Sequence, residues 1–221
     1  MRIPAAKLKD MEGGDPPPPV RNVVELADGS GAPRAVAYVE RELPPGGIPA
    51  YLAARGAGGR SFALWADEHR GSRVATLVTQ SAHGGVATYQ VLGADGEVIG
   101  TLVREKALRG RGIRTRWTVK QPGVPEAVGY KGRIFWWYFM WLLSPLFPFA
   151  FLGAVFNNGD MPRAPRRIRW RAGGRLLLDF RPFTDRLRLC TPEVDWRLGA
   201  ALLALLRSDS GWTTAWDARG K

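Results

Sequence analysis

The sequence predicts a mainly β protein: a roughly twelve-stranded antiparallel sheet, closed into a barrel around a buried apolar C-terminal helix, with a helical hydrophobic hairpin inserted in it. Three observations predict this class. Its 27 Gly and 17 Pro in 221 residues indicate many turns and short elements. Short apolar or alternating runs recur between turn signals from Val20 onward. One late segment has a helical pattern but is apolar on every side, so it must be surrounded.

Twelve candidate strands are separated by segments rich in Gly, Pro, Asp and Ser. They are residues 20–26, 34–41, 48–54, 61–67, 73–80, 86–92, 98–103, 114–120, 126–130, 166–172, 176–180 and 187–190. The strongest hairpin signal is Asp95-Gly96 between two apolar runs. Because strands do not alternate with helices, we expect an antiparallel sheet.

The predicted helix covers residues 191–209. Thr191 can act as its N-cap, and Pro192 fits the first helical position. From Leu198 to Leu206 the helix is apolar all round. Nine residues span only about 14 Å, too short to cross a bilayer. We therefore expect this helix to be buried inside the protein.

The insertion is the apolar segment 134–156, which contains no charged residue and no His, Asn or Gln. Such length is typical of a bilayer-spanning helix, but Pro145 and Pro148 interrupt it. Three interpretations remain: a hairpin dipping into one leaflet, a kinked transmembrane helix, and a protein-buried segment or dimer contact. The hairpin is favoured because flanking strands of one barrel would place both ends on the same side. Its expected membrane-inserting residues are Ile134, Trp136, Trp137, Tyr138, Trp141, Leu142, Pro145, Phe147, Pro148, Phe149, Phe151 and Phe156.

Positive charge brackets this segment. The formal net charge is +12, and residues 100–133 carry nine Lys or Arg against two acids, while residues 157–190 carry nine against three. Such a balance indicates a polyanionic partner, either an anionic membrane surface or nucleic acid. In 114–120 and 166–172, alternation places basic side chains on one sheet face. The expected headgroup-binding residues are Arg114, Arg116, Lys120, Lys131, Arg133, Arg163, Arg166, Arg167, Arg169 and Arg171.

The sequence shows no motif of a catalytic or metal site, and we expect neither enzymatic activity nor a cofactor. His69 and His83 lie in Gly-rich turns and are expected to be solvated. Cys190, the single cysteine, excludes an internal disulfide and is expected to be a core residue. We expect a flexible Pro-rich tail over 1–19 without the apolar core of a signal peptide, one domain over 20–210, and a C-terminal tail over 211–221.

Three stretches carry a family resemblance: YQVLGADGEVIGTLVR, the basic strand RTRWTVK and the closing DWRLGAALLALL. Over residues 20–208 the chain resembles the tubby C-terminal, LURP-one and phospholipid-scramblase-like barrels. The resemblance implies a twelve-stranded barrel threaded by an apolar helix, and a non-catalytic module at a membrane. Tubby-like barrels bind phosphoinositides through surface Lys and Arg. The apolar insertion departs from this family, and no acidic cluster suited to Ca²⁺ is evident.

The functional hypothesis is a protein on the cytoplasmic face of the membrane that binds anionic phospholipid through a basic surface and an inserted hairpin. Alternatives are a single-pass or scramblase-like membrane protein, a scaffold for a membrane protein partner, and a nucleic-acid-binding protein. The last is less favoured because alternation turns Trp117 and Trp170 away from the basic residues that would contact phosphates.

Overall fold

The computed structural model describes residues 19–27, 32–107, 114–131 and 167–209. In these ranges eleven strands form one sheet, in which each strand pairs antiparallel with the next along the chain. The strands are β1 Asn22–Leu26, β2 Arg34–Arg41, β3 Ser61–Trp65, β4 Arg73–His83, β5 Val86–Gly93, β6 Val98–Glu105, β7 Arg116–Gln121, β8 Val124–Tyr130, β9 Ile168–Ala172, β10 Arg175–Arg181 and β11 Arg186–Leu189. The predicted mainly β, antiparallel class is confirmed. Within the described ranges β1 and β11 do not pair, so the hydrogen bonding does not close the sheet.

Helix α1, Gly47–Ala57, stands where the third strand was predicted, and it accounts for the count of eleven rather than twelve. Its sequence GIPAYLAARGA contains four Ala with one Leu and one Arg, residues that favour helix, and its proline falls in the first turn, where it is tolerated. Gly46 and Gly58 flank the helix in left-handed backbone, with φ near 100° and 105°. The strand prediction for residues 48–54 was wrong.

Helix α2, Trp196–Ser208, is the predicted C-terminal helix, and residues Leu198 to Leu206 are all buried. It contacts β4, β5, β6 and β11. The prediction of a buried apolar helix is confirmed, but its start was predicted too early. Asp195 is the N-cap, its side chain accepting a hydrogen bond from the Arg197 backbone N–H at 2.8 Å. Thr191 instead accepts one from the Glu193 backbone in the preceding turn.

Close packing of α2 against the sheet depends on Gly100 in β6. A Cβ atom there would lie 2.6 Å from the carbonyl oxygen of Lys120 and 3.0 Å from a methyl group of Leu198. A larger residue would therefore push α2 away from β6 and strain the pairing of β6 with β7. This glycine is needed for a close approach rather than for a turn.

Register defines one end of the sheet, which we call the insertion end. There the chain leaves β8 at Lys131 and returns at Arg167 before β9, and the two strands are antiparallel neighbours with Val128 opposite Arg171. Residues 132–166, which include the predicted hairpin 134–156, lie outside the described residues. Of the helices that are described, neither has the length and apolar character to cross a membrane.

Candidate functional site

An arginine-rich surface covers the outward side of β9, β10 and β11. The inward positions of these strands, among them Ile168, Trp170, Leu178 and Leu187, are buried, so alternation turns the intervening residues outward. Register places residues 169, 179 and 188 side by side on the three strands, and residue 181 opposite residue 186. We call the outward arginines the arginine face: Arg169, Arg171, Arg181, Arg186 and Arg188.

Asp179 is the acidic residue at the centre of this surface, and its side chain is only 3% exposed. Arg167 donates two hydrogen bonds to the carboxylate, with 2.7 Å between Nε and Oδ1. Arg181 Nε lies 3.4 Å from Oδ2. The hydrogen bond from Arg167 outweighs burial and holds the pKa of Asp179 below its ordinary value. Asp179 therefore stays ionised and compensates the positive charge of Arg167. The longer contact with Arg181 adds a second, weaker ion pair.

Within the described part of the chain, the other arginines of the face have no acidic partner. Arg169, Arg186 and Arg188 are exposed, and no described acidic residue pairs with them. Arg171 is also exposed and donates to the backbone carbonyl of Gly174 at 2.9 Å. Cations held this close repel one another, and a polyanion would relieve that repulsion. The surface is suited to phosphate groups, to which guanidinium can donate two parallel hydrogen bonds.

The basic side of β7 differs from this. Lys120 Nζ lies 2.8 Å from a Glu126 oxygen, and Arg116 lies 3.7 Å from Glu105 and 4.0 Å from Glu126. Arg114 stacks over the Tyr130 ring, 4.6 Å from its centroid. Glu105 and Glu126 therefore offset the attraction of Arg116 and Lys120 for anionic lipid, whereas Arg114 packs on an uncharged ring. The predicted alternation holds for Trp117, which is buried, but Thr118 is buried as well.

The structure thus brings Arg167, Arg169 and Arg171 of the predicted set together. Lys131 lies at the end of β8, where its backbone N–H bonds to the Thr115 carbonyl. Arg133, Arg163, Arg166 and the twelve predicted membrane-inserting residues fall outside the described residues. Sequence reasoning missed Arg181, Arg186 and Arg188. The alternation Arg-Leu-Arg at 186–188 already indicates two outward arginines on one strand. Only the register shows that this strand lies beside β10 and so extends the arginine face.

A largely buried ion pair lies near the insertion end. Arg104 of β6, 3% exposed, pairs with Asp209 at the C-terminus of α2. Burial favours the neutral form of Asp209, but the charges of Arg104, Lys131 and Arg60 outweigh it and lower its pKa. Arg60 also donates to the Ser208 hydroxyl at 2.6 Å. These contacts fasten the end of the buried helix to the sheet.

A pocket of about 460 Å³ opens beside this pair, next to the β4–β5 turn. Its wall includes Arg104, Lys106, His83 and Gly85. Since Asp209 already compensates Arg104, the pocket offers an anion less net positive charge than the arginine face does. We therefore place the candidate site on the face and not in the pocket.

Cys190 is exposed at the end of β11, so its assignment to the core was wrong. Partial desolvation raises the pKa of its thiol, which reduces the thiolate fraction. His69 and His83 are exposed, as predicted. Within the described ranges no three His, Cys, Asp or Glu side chains are grouped so that they could hold a metal ion.

Comparison with protein-family models, curated proteins and solved structures finds no match to this chain. The resemblance to tubby-like and scramblase-like barrels therefore stays a prediction from sequence.

Proposed function

We propose that this chain is a non-catalytic, membrane-associated protein that binds anionic phospholipid through the arginine face, with segment 134–156 inserted into the same leaflet. The observation that carries the proposal is the position of Arg167. Arg167 follows the apolar stretch 134–156 in the chain and directly precedes β9. Its side chain is hydrogen-bonded to Asp179 at the centre of the arginine face. An apolar anchor and a cationic surface would thus meet at one place.

The geometry of β8 and β9 favours a hairpin over a single crossing. Because β8 and β9 are antiparallel neighbours, the end of β8 and the start of β9 lie at the same end of the sheet. A segment between Lys131 and Arg167 therefore starts and finishes at that end. Pro145 and Pro148 would supply the reversal. As helices, the two arms would each reach about 12–15 Å, roughly half of a ~30 Å hydrocarbon core.

The apolar segment and the arginine face would contribute differently to membrane binding. Apolar insertion would supply most of the affinity, since burial of each aromatic or aliphatic side chain contributes about 1.5–3 kcal/mol. Each arginine near the headgroups would add about 1 kcal/mol toward an anionic leaflet, and salt would weaken that share. The arginine face would therefore determine which leaflet is chosen rather than whether the protein is held.

We also propose that the sheet curls around α2 as a barrel whose edges come together. Support comes from the burial of this helix on all sides and from its contacts both with the neighbouring strands β4, β5 and β6 and with β11, the last strand of the sheet. A flat sheet could cover only one side of a helix. Closure would also protect the edge strands β1 and β11.

Nucleic-acid binding is the second candidate because the arginine face could also contact phosphates. However, the side chains of Trp117 and Trp170 are buried, at 1% and 0% exposure, so they cannot stack on bases. The observations therefore favour lipid, and a scaffold role toward a membrane protein would use the same anchor.

Flotation of the full chain with liposomes tests the proposal. We expect flotation with phosphatidylserine-containing vesicles, weaker flotation with phosphatidylcholine alone, and persistence in excess DNA. Trp136→Glu with Trp141→Glu should abolish flotation, whereas Val98→Glu, a new charge at an exposed residue in β6, should leave it intact. Unchanged flotation of the double tryptophan variant, or binding to DNA alone, would overturn the proposal.

A further inference from the structure

Phe183 is the most exposed large apolar side chain among the described residues, at 85%, whereas Leu43, Val98 and Tyr130 stay below one half. It lies in the 3₁₀ helix Pro182–Thr184 that joins β10 to β11. A scattered surface hydrophobe is ordinary in itself. What distinguishes Phe183 is how it is held and what surrounds it.

The turn that carries Phe183 is stabilised by two hydrogen bonds within the turn and by one ion pair to α2. The Asp185 backbone N–H bonds to the Pro182 carbonyl, and the Thr184 hydroxyl bonds to the Arg181 carbonyl. The Asp185 carboxylate also lies 3.4 Å from Arg207 in the last turn of α2. The phenyl ring is therefore presented by a turn with internal hydrogen bonds and a tie to the buried helix.

The turn lies at the insertion end of the sheet. Phe180 pairs with Ile168 at the start of β9, so the tip of the β10–β11 hairpin extends beyond the point where Arg167 enters the sheet. The exposed Arg181 and Arg186 lie opposite each other in the strand register, at the base of the hairpin whose turn carries Phe183. An aromatic tip with cations at its base matches an anionic bilayer surface, where rings settle at the lipid–water boundary and Arg contacts phosphate.

We propose that Phe183 is a second membrane contact, which inserts into the interface of an anionic leaflet while Arg181 and Arg186 bind headgroups. This inference rests on the proposed membrane function and adds an orientation to it: the insertion end of the sheet faces the bilayer. A free polyanion would need the arginines but not the phenyl ring. The opposite end, which carries the β5–β6 turn with Ala94, would then face away from lipid.

An environment-sensitive fluorophore tests this orientation in the full chain. In a Cys190→Ser background, Phe183→Cys and Ala94→Cys each provide one labelling site for a nitrobenzoxadiazole dye. We expect phosphatidylserine-containing vesicles to brighten and blue-shift the dye at position 183 and to leave the dye at position 94 unchanged. Without the dye, Phe183→Ser should lower the partition coefficient about tenfold, near the lower end of what burial of one aromatic side chain contributes, and Phe183→Trp should retain it.

The outcomes separate the two proposals. If the wild-type chain binds the anionic vesicles but the two dyes respond alike, and Phe183→Ser partitions like wild type, the second contact is overturned and the proposed function stands. If the wild-type chain binds no vesicle, both are overturned. Thermal unfolding of Phe183→Ser checks the fold, and we expect no change because the side chain is exposed.

Discussion

Arg167 donates two hydrogen bonds to Asp179, joining the residue just before β9 to a buried carboxylate on β10. The 2.7 Å Nε–Oδ1 distance and the exposure of only 3% for Asp179 describe a charge-assisted pair at the edge of the core. Asp179 therefore does two things: it holds the entry into β9, and it removes about one unit of positive charge from the surface around it.

Asp179→Asn should separate these effects. Loss of the charge-assisted hydrogen bonds should lower the free energy of unfolding by about 1–3 kcal/mol, measured by urea denaturation. The surface gains one net positive charge, so binding to phosphatidylserine vesicles should strengthen about fivefold. Asp95→Asn, which removes the same charge from an exposed turn at the other end of the sheet, should change neither. A variant as stable as wild type would contradict the role given to Asp179.

The stability of the protein should depend on pH through the same pair. Because the hydrogen bond from Arg167 lowers the pKa of Asp179 in the folded state, its contribution is fully present above the unfolded-state pKa of about 3.9. It is lost as the pH falls through the lower folded-state pKa. Urea midpoints measured between about pH 6 and pH 3 should thus fall less in Asp179→Asn than in wild type. Parallel pH profiles would exclude Asp179 as a contributor.

The sequence predicted what depends on local pattern. Period-two alternation identified β9, and an all-apolar run identified the buried part of α2. Residues 48–54 were mistaken for a strand because a short apolar run suits either state, and here Gly46 and Gly58 delimit a helix. The start of α2 was misplaced because both Thr191 and Asp195 are good N-caps, and only the packing decides between them.

The site depended on register, which a single sequence does not specify. Arg116 and Lys120 looked like a free basic side until β8 placed Glu126 beside them. Conversely, Arg186 and Arg188 gain significance only because β11 lies beside β10, and β10 beside β9. Charges that are distant in sequence become one surface through strand pairing.

The arginine face should contribute more to lipid binding than basic residues at the end of the sheet opposite the insertion end. Arg169→Gln with Arg188→Gln should weaken binding to phosphatidylserine vesicles by about 2 kcal/mol, that is, about thirtyfold at low salt. Arg34→Gln with Lys120→Gln removes the same charge at the end of the sheet opposite the insertion end and should weaken vesicle binding far less. Equal losses in co-sedimentation would show that net charge, and not the face, determines binding.

The Arg104–Asp209 pair should be far more important for stability than a surface pair. Arg104→Gln leaves a largely buried carboxylate with only Arg60 and Lys131 near it, and should cost about 3 kcal/mol. Lys120→Gln breaks an exposed pair with Glu126 and should cost less than about 1 kcal/mol. Urea denaturation of both variants makes the comparison, and similar losses would contradict the burial of the first pair.

Leu202, at the middle of α2 and fully buried, tests whether the sheet surrounds this helix. Leu202→Ala should lower the free energy of unfolding by about 2–5 kcal/mol, because the removed methyl groups leave a cavity that a surrounding wall cannot fill. Leu202→Met conserves volume and should cost under about 1.5 kcal/mol. Leu43→Ala, at a half-exposed position, should change stability by about 0.5 kcal/mol at most. A loss for Leu202→Ala as small as that for Leu43→Ala would mean that one side of the helix can relax, and the curled sheet would have to be abandoned.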